Sequence, residues 1–333
     1  LKLIIQIPCL NEEKTLPITI KDIPRKIEGI SKVEILIIDD GSSDRTIEVA
    51  KKLGVDHVVR FPKNKGLAEA FKAGLDASLK LGADIIVNTD ADNQYKGSDI
   101  PKLIKPILEK KFEMVIGDRK TDTIAHFSPI KKFFQRFGSR VVRILSQTDV
   151  PDSTSGFRAY SRDAALRINV VSEFTYTLET IIQAGHKKIS VGHVEIGTNG
   201  KLRESRLFKS IYGYMKRSAK TIIRIYTMYR PMKVFMTSGF ILFMLGVGLG
   251  VRFLIYYFLG DGNGHIQSLI LSAAMMIIGF QLGMLGLVAD LISNNRKLME
   301  ETLYRIRKIE LQQSSQLDEG LRQPVLASTK QIS

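Results

Sequence analysis

The sequence predicts an α/β domain, a mostly parallel sheet with helices on both faces, followed by a C-terminal two-helix transmembrane hairpin. Short β-branched runs alternate with helical stretches through the first third of the chain, which is the pattern of a sheet built from crossover units. Charged groups stand at the ends of several of these runs, at Asp39-Asp40, at Asp90-Ala91-Asp92 and at Asp118-Arg119. Near the C-terminus two segments are long and uncharged, Phe235 to Val251 continuing past Arg252 to Leu259, and Ser268 to Leu287 continuing to Ile292. Each reaches the ~20 residues that cross a bilayer as a helix.

Leu3 to Pro8 reads as the first strand, and no signal peptide is expected because Leu1 runs straight into it. Asn11-Glu12-Glu13 is expected to start a helix, with acids in its first turn where the dipole favours them. Val33 to Ile38 is a second strand whose end places Asp39 and Asp40 in the crevice, and Ser43 or Asp44 caps a helix from Arg45 to Leu53. After a short strand His57 to Phe61, Asn64-Lys65-Gly66 leads into a helix from Leu67 to Lys80. That helix start reads either as a phosphate loop, offering backbone N–H groups and Lys65, or as an ordinary turn.

Ile85-Ile86-Val87 is a buried strand that ends in Asn88-Thr89-Asp90-Ala91-Asp92-Asn93-Gln94. In open α/β sheets ligands bind beyond the carboxyl ends of the strands. Two carboxylates one residue apart offer hard oxygen ligands to Mg²⁺ or Mn²⁺ on a diphosphate, and Asp90 and Asp92 are the candidate metal ligands. Alone, the same residues also make a polar turn. A helix from Ser98 to Lys110 and a strand Phe112 to Ile116, ending at Gly117-Asp118-Arg119, complete the alternation.

The net charge of +15 calls for an anionic partner, and the position of the charge chooses it. Lys216, Arg217, Lys220, Arg224, Arg230 and Lys233 precede the first span, Arg296, Lys297, Arg305, Arg307 and Lys308 follow the second, and the connecting Gly260 to Gly264 has no cation. By the positive-inside rule both termini and the α/β domain are expected in the cytoplasm, on anionic membrane lipids rather than on nucleic acid. One cysteine, Cys9, suits a reducing compartment. Arg252 and Asp290 are expected to snorkel to opposite headgroup layers. Gly246 with Gly250 and Gly279 with Gly283 form small-residue faces for the hairpin itself or for a homo-oligomer. Domains are expected at 1–207 (catalytic, with 131–147 an amphipathic interfacial helix or an ordinary one), 208–231 (juxtamembrane, amphipathic), 234–259 and 268–292 (spans), 293–311 (cytoplasmic helix) and 312–333 (a disordered tail). In the cytoplasmic helix Met299, Leu303 and Ile306 share one face, either a partner surface or a solvated helix.

Pro8-Cys9-Leu10-Asn11-Glu12-Glu13, Asp39 to Thr46, Asn64-Lys65-Gly66, Asp90 to Gln94 and Ser155-Gly156-Phe157-Arg158 occur in this order. Together they resemble the family-2 glycosyltransferases of GT-A type Rossmann-like fold, specifically the polyisoprenyl-phosphate glycosyltransferases, over roughly residues 1–230. The resemblance implies a nucleotide diphosphate sugar as donor, a polyprenyl phosphate such as undecaprenyl phosphate as acceptor, and inversion at the anomeric carbon. It implies that Pro8, Asn11 and Glu12 line the nucleotide pocket with Asp39, that Asp90 and Asp92 hold Mg²⁺ or Mn²⁺ beside Gln94, and that Ser155, Gly156 and Arg158 close the sugar end. Asp40 and Lys65 complete the expected substrate-binding set. The two-span layout is similar to that of bactoprenol glucosyltransferases, which points to UDP-glucose and to a bacterial inner membrane.

A phosphate acceptor is already anionic at neutral pH, so the reaction requires electrostatic support more than a general base. Arg119, Arg203 and Arg206 are the candidates for gripping the acceptor; relatives often carry Ser-Lys where this chain has Ser205-Arg206. Asp152 either faces the anomeric centre or forms an Asx turn after Pro151, and Arg158 is either a ligand contact or an internal ion-pair partner. The competing reading is a membrane polysaccharide synthase attacking with a sugar hydroxyl; the absence of tryptophan removes its usual acceptor motif.

Overall fold

A computed structural model describes residues 1–120, 142–143, 146–171, 176–200, 211–260 and 265–329. The seven strands are β1 (Lys2–Cys9), β2 (Lys32–Asp39), β3 (His57–Arg60), β4 (Ile85–Asn88), β5 (Met114–Asp118), β6 (Arg158–Ser161) and β7 (Val191–Glu195), in sheet order β3-β2-β1-β4-β6-β5-β7. All neighbours run parallel except β6, which is antiparallel to both β4 and β5. Helices α1 (Leu16–Asp22), α2 (Thr46–Lys52), α3 (Leu67–Lys80), α4 (Ile100–Leu108), α5 (Arg162–Arg167) and α6 (Tyr176–His186) follow in chain order.

The continuous apolar runs of β1, β2 and β4 are explained by burial on both faces. Leu3, Ile5, Ile7, Ile35, Ile37 and Val87 pack with Leu16 and Ile20 of α1 and Leu103 and Ile104 of α4 in one core. Ile4, Leu36, Ile38 and Ile86 are also fully buried and point to the other face, with Phe71 of α3. Each such side chain contributes about 1.5–3 kcal/mol of transfer free energy. Close approach of α3 depends on Gly74, where a Cβ would stand 2.5 Å from Gln6 Oε1 and 2.9 Å from Ile38 Cδ1.

The expected helix Leu67 to Lys80 forms with those bounds. The first helix does not begin at Asn11; it starts at Leu16, with a proline in its first turn, and residues 10–15 form a loop. The Ser98 to Lys110 stretch resolves into a 3-10 turn, Gly97–Asp99, and α4. β6 and β7 are strands beyond those read from the sequence. β6 pairs Asn88 with Arg158, which carries Gly156 and Phe157, immediately before it, to the carboxyl edge of β4 and β5.

The chain divides into two compact units, Leu1–Ile222 with Leu303–Ser333, and Ile223–Thr302. The second unit takes in the end of α7 (Ile211–Tyr229), α8 (Pro231–Phe258) and the first part of α9 (Ile266–Thr329). α8 and α9 are long and apolar enough to cross a membrane, with mean hydropathy 2.1 and 2.0. Their facing surfaces are made of small residues. A Cβ on Gly239 would lie 2.6 Å from Gly279 O, one on Gly279 2.7 Å from Gly239 O, and Ser272 Oγ donates to Gly246 O at 2.6 Å. Gly246, Gly250 and Gly279 therefore serve the hairpin, together with Gly239, which the small-residue spacing left out. Phe240, Ile241, Leu254 and Ile270 are exposed, as lipid-facing side chains are. Arg252 and Asp290 do not pair: Arg252 lies over the Tyr256 ring at 5.6 Å, and Asp290 accepts from Asn294 at 3.4 Å. At the start of α8, Arg296 stacks on Tyr229 at 3.9 Å and Ser293 Oγ donates to Met228 O.

In place of separate segments at 268–292, 293–311 and 312–333, α9 is one helix from Ile266 to Thr329. Within the first unit its Tyr304 Oη donates to Asp163 Oδ1 at 2.7 Å, under Arg167 at 5.7 Å. Met299 and Ile306, on the expected partner face, remain exposed.

Candidate active site

The carboxyl ends of β1, β2 and β4 gather acidic groups around one buried thiol. Burial raises the Cys9 thiol well above its ordinary range, and Glu12, Asp39, Asp44 and Asp90 push it further in the same direction. Four carboxylates thus act on this thiol, two of them, Asp39 and Asp90, from the strand ends singled out in the sequence.

At the β1–β2 end the loops clasp one another. Asn11 sits in the left-handed region at φ 54, which asparagine tolerates, and its Oδ1 accepts from Ser43 N at 2.8 Å while its own N–H donates to Ser42 Oγ. Glu12 is buried and accepts from Thr15 Oγ1 at 2.6 Å. Asp44 accepts from Thr46 N and Glu13 N, which ties the two loops together; it is not the N-cap, since the helix begins at Thr46 after Arg45. Pro8 is buried within β1 opposite Ile38.

Asp39 and Asp40 part company. Asp39 is fully buried; its Oδ1 accepts from Ser42 N at 3.1 Å, whereas Oδ2, with Arg60 Nε 3.3 Å away but out of alignment, has no hydrogen-bond partner. A buried acceptor held by an ion pair but by no hydrogen bond keeps the capacity to accept one. Beside it opens a pocket of about 460 Å³ lined by Gly41, Ser42, Arg60, Phe61 and Pro62. Gly41 must be glycine, at φ 76 and with a Cβ position 2.6 Å from Lys63 C. Asp40 instead accepts from Lys65 N at 2.7 Å and Gly66 N at 2.9 Å. Asp40 thus holds the Asn64-Lys65-Gly66 turn, and of the two readings of that turn the ordinary one is seen, with its amides bonded to Asp40. The Lys65 ammonium lies over Phe61 at 4.7 Å.

The loop after β4 carries Asp90 and Asp92. Asp92 accepts from Gln94 N at 3.2 Å and Gln94 Nε2 at 2.9 Å, so Gln94 orients that carboxylate. The loop is pinned by the segment after β7, since Asn199 N donates to Gln94 O and Asn199 Nδ2 to Asn93 O. Both Asp90 oxygens lie 3.2 Å from where a Cβ on Gly156 would stand. Among the described residues no three His, Cys, Asp or Glu side chains form a ready metal cluster. Two carboxylates plus substrate oxygens is the arrangement Mg²⁺ adopts on phosphates, and the donor set fits it.

At the end of β5, Arg119 forms a bidentate pair with Asp152, Nε to Oδ2 at 2.7 Å and Nη2 to Oδ1 at 3.1 Å, with Nη2 also donating to Thr154 Oγ1 at 2.8 Å. Burial opposes the Arg119 charge, but Tyr95, Asp152 and Asp90 outweigh it and hold the guanidinium firmly protonated. Burial likewise opposes the Asp152 charge, and Arg119 overrides it, keeping the carboxyl below its usual range. Thr154 N and Oγ1 also donate to Asp152 Oδ1, so the Asx-turn reading of Asp152 is the one observed. Arg119 Nη1 takes no part in these bonds.

Arg158 is fully buried, with its donors on Ser155 O, Thr177 O, Thr180 Oγ1 and Ser153 O. Through these bonds it staples the 152–157 loop to α6. Ser155 is buried, and its Oγ has no partner. Arg203, Arg206 and most of 131–147 lie outside the described residues.

Sequence reasoning missed Asn88, Tyr95 and Tyr176. Tyr95 Oη accepts from Gly156 N at 2.8 Å, and burial raises its phenol to about 12. Asn88 was detectable as an amide closing a buried apolar strand, where a polar side chain needs partners. Tyr176 leaves no local signal.

The model of glycosyl transferase family 2 matches residues 4–168. A UDP-N-acetylglucosamine–dolichyl-phosphate N-acetylglucosaminyltransferase of Methanococcus voltae is 32% identical over 216 residues, 58% of this chain and 83% of that protein. An undecaprenyl-phosphate mannosyltransferase of Micrococcus luteus is 28% identical over 170 residues, 49% of this chain and 68% of that protein. Among solved structures, glucosyl-3-phosphoglycerate synthase of Mycobacterium tuberculosis, in complex with Mn²⁺, uridine diphosphate and glucosyl-3-phosphoglycerate, superposes with a TM-score of 0.52 at 19% identity, covering 68% of this chain and 78% of that one. That likeness is one of fold, and it is the GT-A fold expected. With strand order, strand-end carboxylates and relatives in agreement, the chain belongs to glycosyl transferase family 2, and it is a glycosyltransferase.

Proposed function

We propose that the protein moves a sugar from a nucleotide diphosphate to a polyprenyl phosphate at the cytoplasmic face of a membrane. What supports this reading is that Asp90 acts electrostatically on both the buried Cys9 thiol, which Asp39 also reaches, and the Arg119 guanidinium, so the acids of the β1, β2 and β4 ends and this cation share one region. Asp39 Oδ2 accepts an N–H or O–H from the base or ribose. Asp90 and Asp92 hold a divalent cation, which when bound neutralises charge on the leaving diphosphate. Arg119, its Nε and Nη2 fixed by Asp152 and Thr154, presents Nη1 to an anionic oxygen. The acceptor phosphate oxygen forms a bond to the anomeric carbon as the carbon–oxygen bond to the nucleoside diphosphate breaks, with inversion and no proton to remove. The α8–α9 hairpin and the cations flanking it support membrane residence with both ends on the cytoplasmic side.

The relatives' names weigh toward N-acetylglucosamine or mannose as the sugar, in place of the glucose that the two-span layout suggests. The test is transfer of labelled sugar from UDP-N-acetylglucosamine, GDP-mannose and UDP-glucose to undecaprenyl phosphate by the detergent-purified chain with Mn²⁺, beside Asp92→Ala. Label entering the lipid phase from one donor and lost in the variant is expected. Label in a water-soluble polymer, or no lipid product from any donor, overturns the proposal.

A further inference from the structure

Gly156 is held on both of its backbone groups by side chains from elsewhere in the sequence. Its N–H donates to Tyr95 Oη at 2.8 Å. Its carbonyl accepts from Asn88 Nδ2 at 2.9 Å and from Tyr176 Oη at 3.4 Å. Asn88 is itself fixed: Nδ2 also donates to Tyr176 Oη at 2.9 Å, and Oδ1 accepts from Gln6 Nε2 at 2.8 Å. Asn88 and Gln6 are fully buried, Tyr176 is 1% exposed and Tyr95 5%. The rings are fixed as well, Tyr176 stacked on Phe71 with centroids 3.9 Å apart and Tyr95 stacked on Phe157 at 5.3 Å. Every polar atom of this group except Gln6 Oε1 is satisfied, and the group converges on one residue.

Beside that residue, on the same side as Tyr176 Oη, stands the Asp90 carboxylate. A Cβ at position 156 would meet Tyr176 Oη at 2.9 Å and both Asp90 oxygens at 3.2 Å. The space a side chain at 156 would fill is therefore shared by Tyr176 Oη and the Asp90 carboxylate, and shifting this backbone by a few tenths of an ångström changes the room the carboxylate has. A hydrogen-bonded core beneath a glycine could simply stabilise the sheet edge. Its aim at a ligand carboxylate, through a position with no room for a methyl group, goes beyond that.

We infer that Asn88, Tyr95 and Tyr176 are positioning residues that act through Gly156 to set Asp90 for a cation-bound diphosphate. The inference rests on the reading of Asp90 as a ligand of that cation. Outer groups that orient ligating carboxylates typically change metal affinity by about 10- to 100-fold when removed. These three come from β4, the loop after it and the start of α6, so separate parts of the chain are gathered behind one carboxylate.

The experiment is calorimetric binding of UDP and of GDP to the full chain in detergent, with and without Mn²⁺, for the wild type, Tyr176→Phe, Tyr95→Phe, Tyr160→Phe and Asp90→Ala. The phenylalanine variants remove one oxygen and keep each ring in place. Tyr160 is the control, since it packs on the same Phe71 and its buried Oη makes no hydrogen bond to Asn88, Tyr176 or Gly156. The reading is the ratio of Mn²⁺-dependent to Mn²⁺-independent affinity for the better nucleotide, which a partly unfolded sample does not alter. Expected is a loss of that ratio of about tenfold in Tyr176→Phe and Tyr95→Phe, none in Tyr160→Phe, and abolition in Asp90→Ala. If Asp90→Ala loses the Mn²⁺ effect while the Tyr176 and Tyr95 variants keep it, or if Tyr160→Phe loses it equally, the positioning role is overturned. If Asp90→Ala keeps the Mn²⁺ effect, the cation reading of Asp90 fails instead.

Discussion

The sheet edge of the first unit and the helix pair of the second both depend on missing side chains, and they use the space in opposite ways. At Gly156 the absent Cβ lets a carboxylate and a phenol approach the backbone, so the space is filled by polar groups that must be partnered. At Gly239 and Gly279 the absent Cβ lets two helices touch main chain to main chain, each Cβ position within 2.7 Å of the other glycine's carbonyl oxygen. In water, burial of apolar surface brings the elements together and glycine is free to serve a ligand. In lipid, apolar surface gives helices no reason to associate, and close backbone packing with an occasional bond such as Ser272 to Gly246 must supply it.

That contrast can be broken at either end. The largest effect on stability is expected in the first unit from Asp152→Ala, which strands Arg119 in a site where the two side chains are only 17% and 1% exposed. Removing one member of a buried pair costs about 3–5 kcal/mol, read as a fall in the thermal midpoint, and Asp152→Ala with Arg119→Met should recover part of it. Gly156→Ala should lower the midpoint less, by about 1–3 kcal/mol of overpacking against Tyr176, and should lower sugar transfer by about a hundredfold, the order of loss from a small misplacement of a reacting group. In the second unit Gly239→Leu should weaken the hairpin by about 1–3 kcal/mol of overpacking in a detergent unfolding assay while donor binding is unchanged.

The smallest effect concerns pH. Glu34 is 3% exposed, and although burial would raise its carboxyl, Lys2, Lys32 and His57 pull it from 4.5 to about 2. A carboxyl depressed on folding stabilises above its unfolded value and loses that contribution as pH falls. The difference in midpoint between the wild type and Glu34→Gln should thus be full above pH 4.5 and shrink toward pH 2. Exposure of Lys32, at 67%, keeps its share small.

How much of this was legible depended on sequence distance. The strands Val33 to Ile38 and Ile85 to Val87, and the helix Leu67 to Lys80, are local patterns of β-branched and amphipathic residues and appear where the sequence places them. Asp90 and Asp92 were visible because the apolar run stops at them. β6 was not, because an antiparallel insertion between β4 and β5 is decided by partners some seventy and forty positions away and its residues, Arg-Ala-Tyr-Ser, have no strand signature. Neighbouring aspartates also hid their difference: successive residues at a strand end point to opposite sides, so Asp39 meets the pocket and Asp40 the Lys65-Gly66 turn. Arg158 misled because its acceptors are three carbonyls and a hydroxyl, which leave no acidic partner to find.

The buried Cys9 has a practical consequence. Its thiol is enclosed, and the carboxylates around it suppress the thiolate that maleimides and oxidants attack. The native chain is therefore a silent background for labelling, in which a single introduced reporter such as Leu259→Cys, 74% exposed at the end of α8, responds alone. Membrane-impermeant reagent added to intact cells would then read directly which side of the bilayer that end occupies.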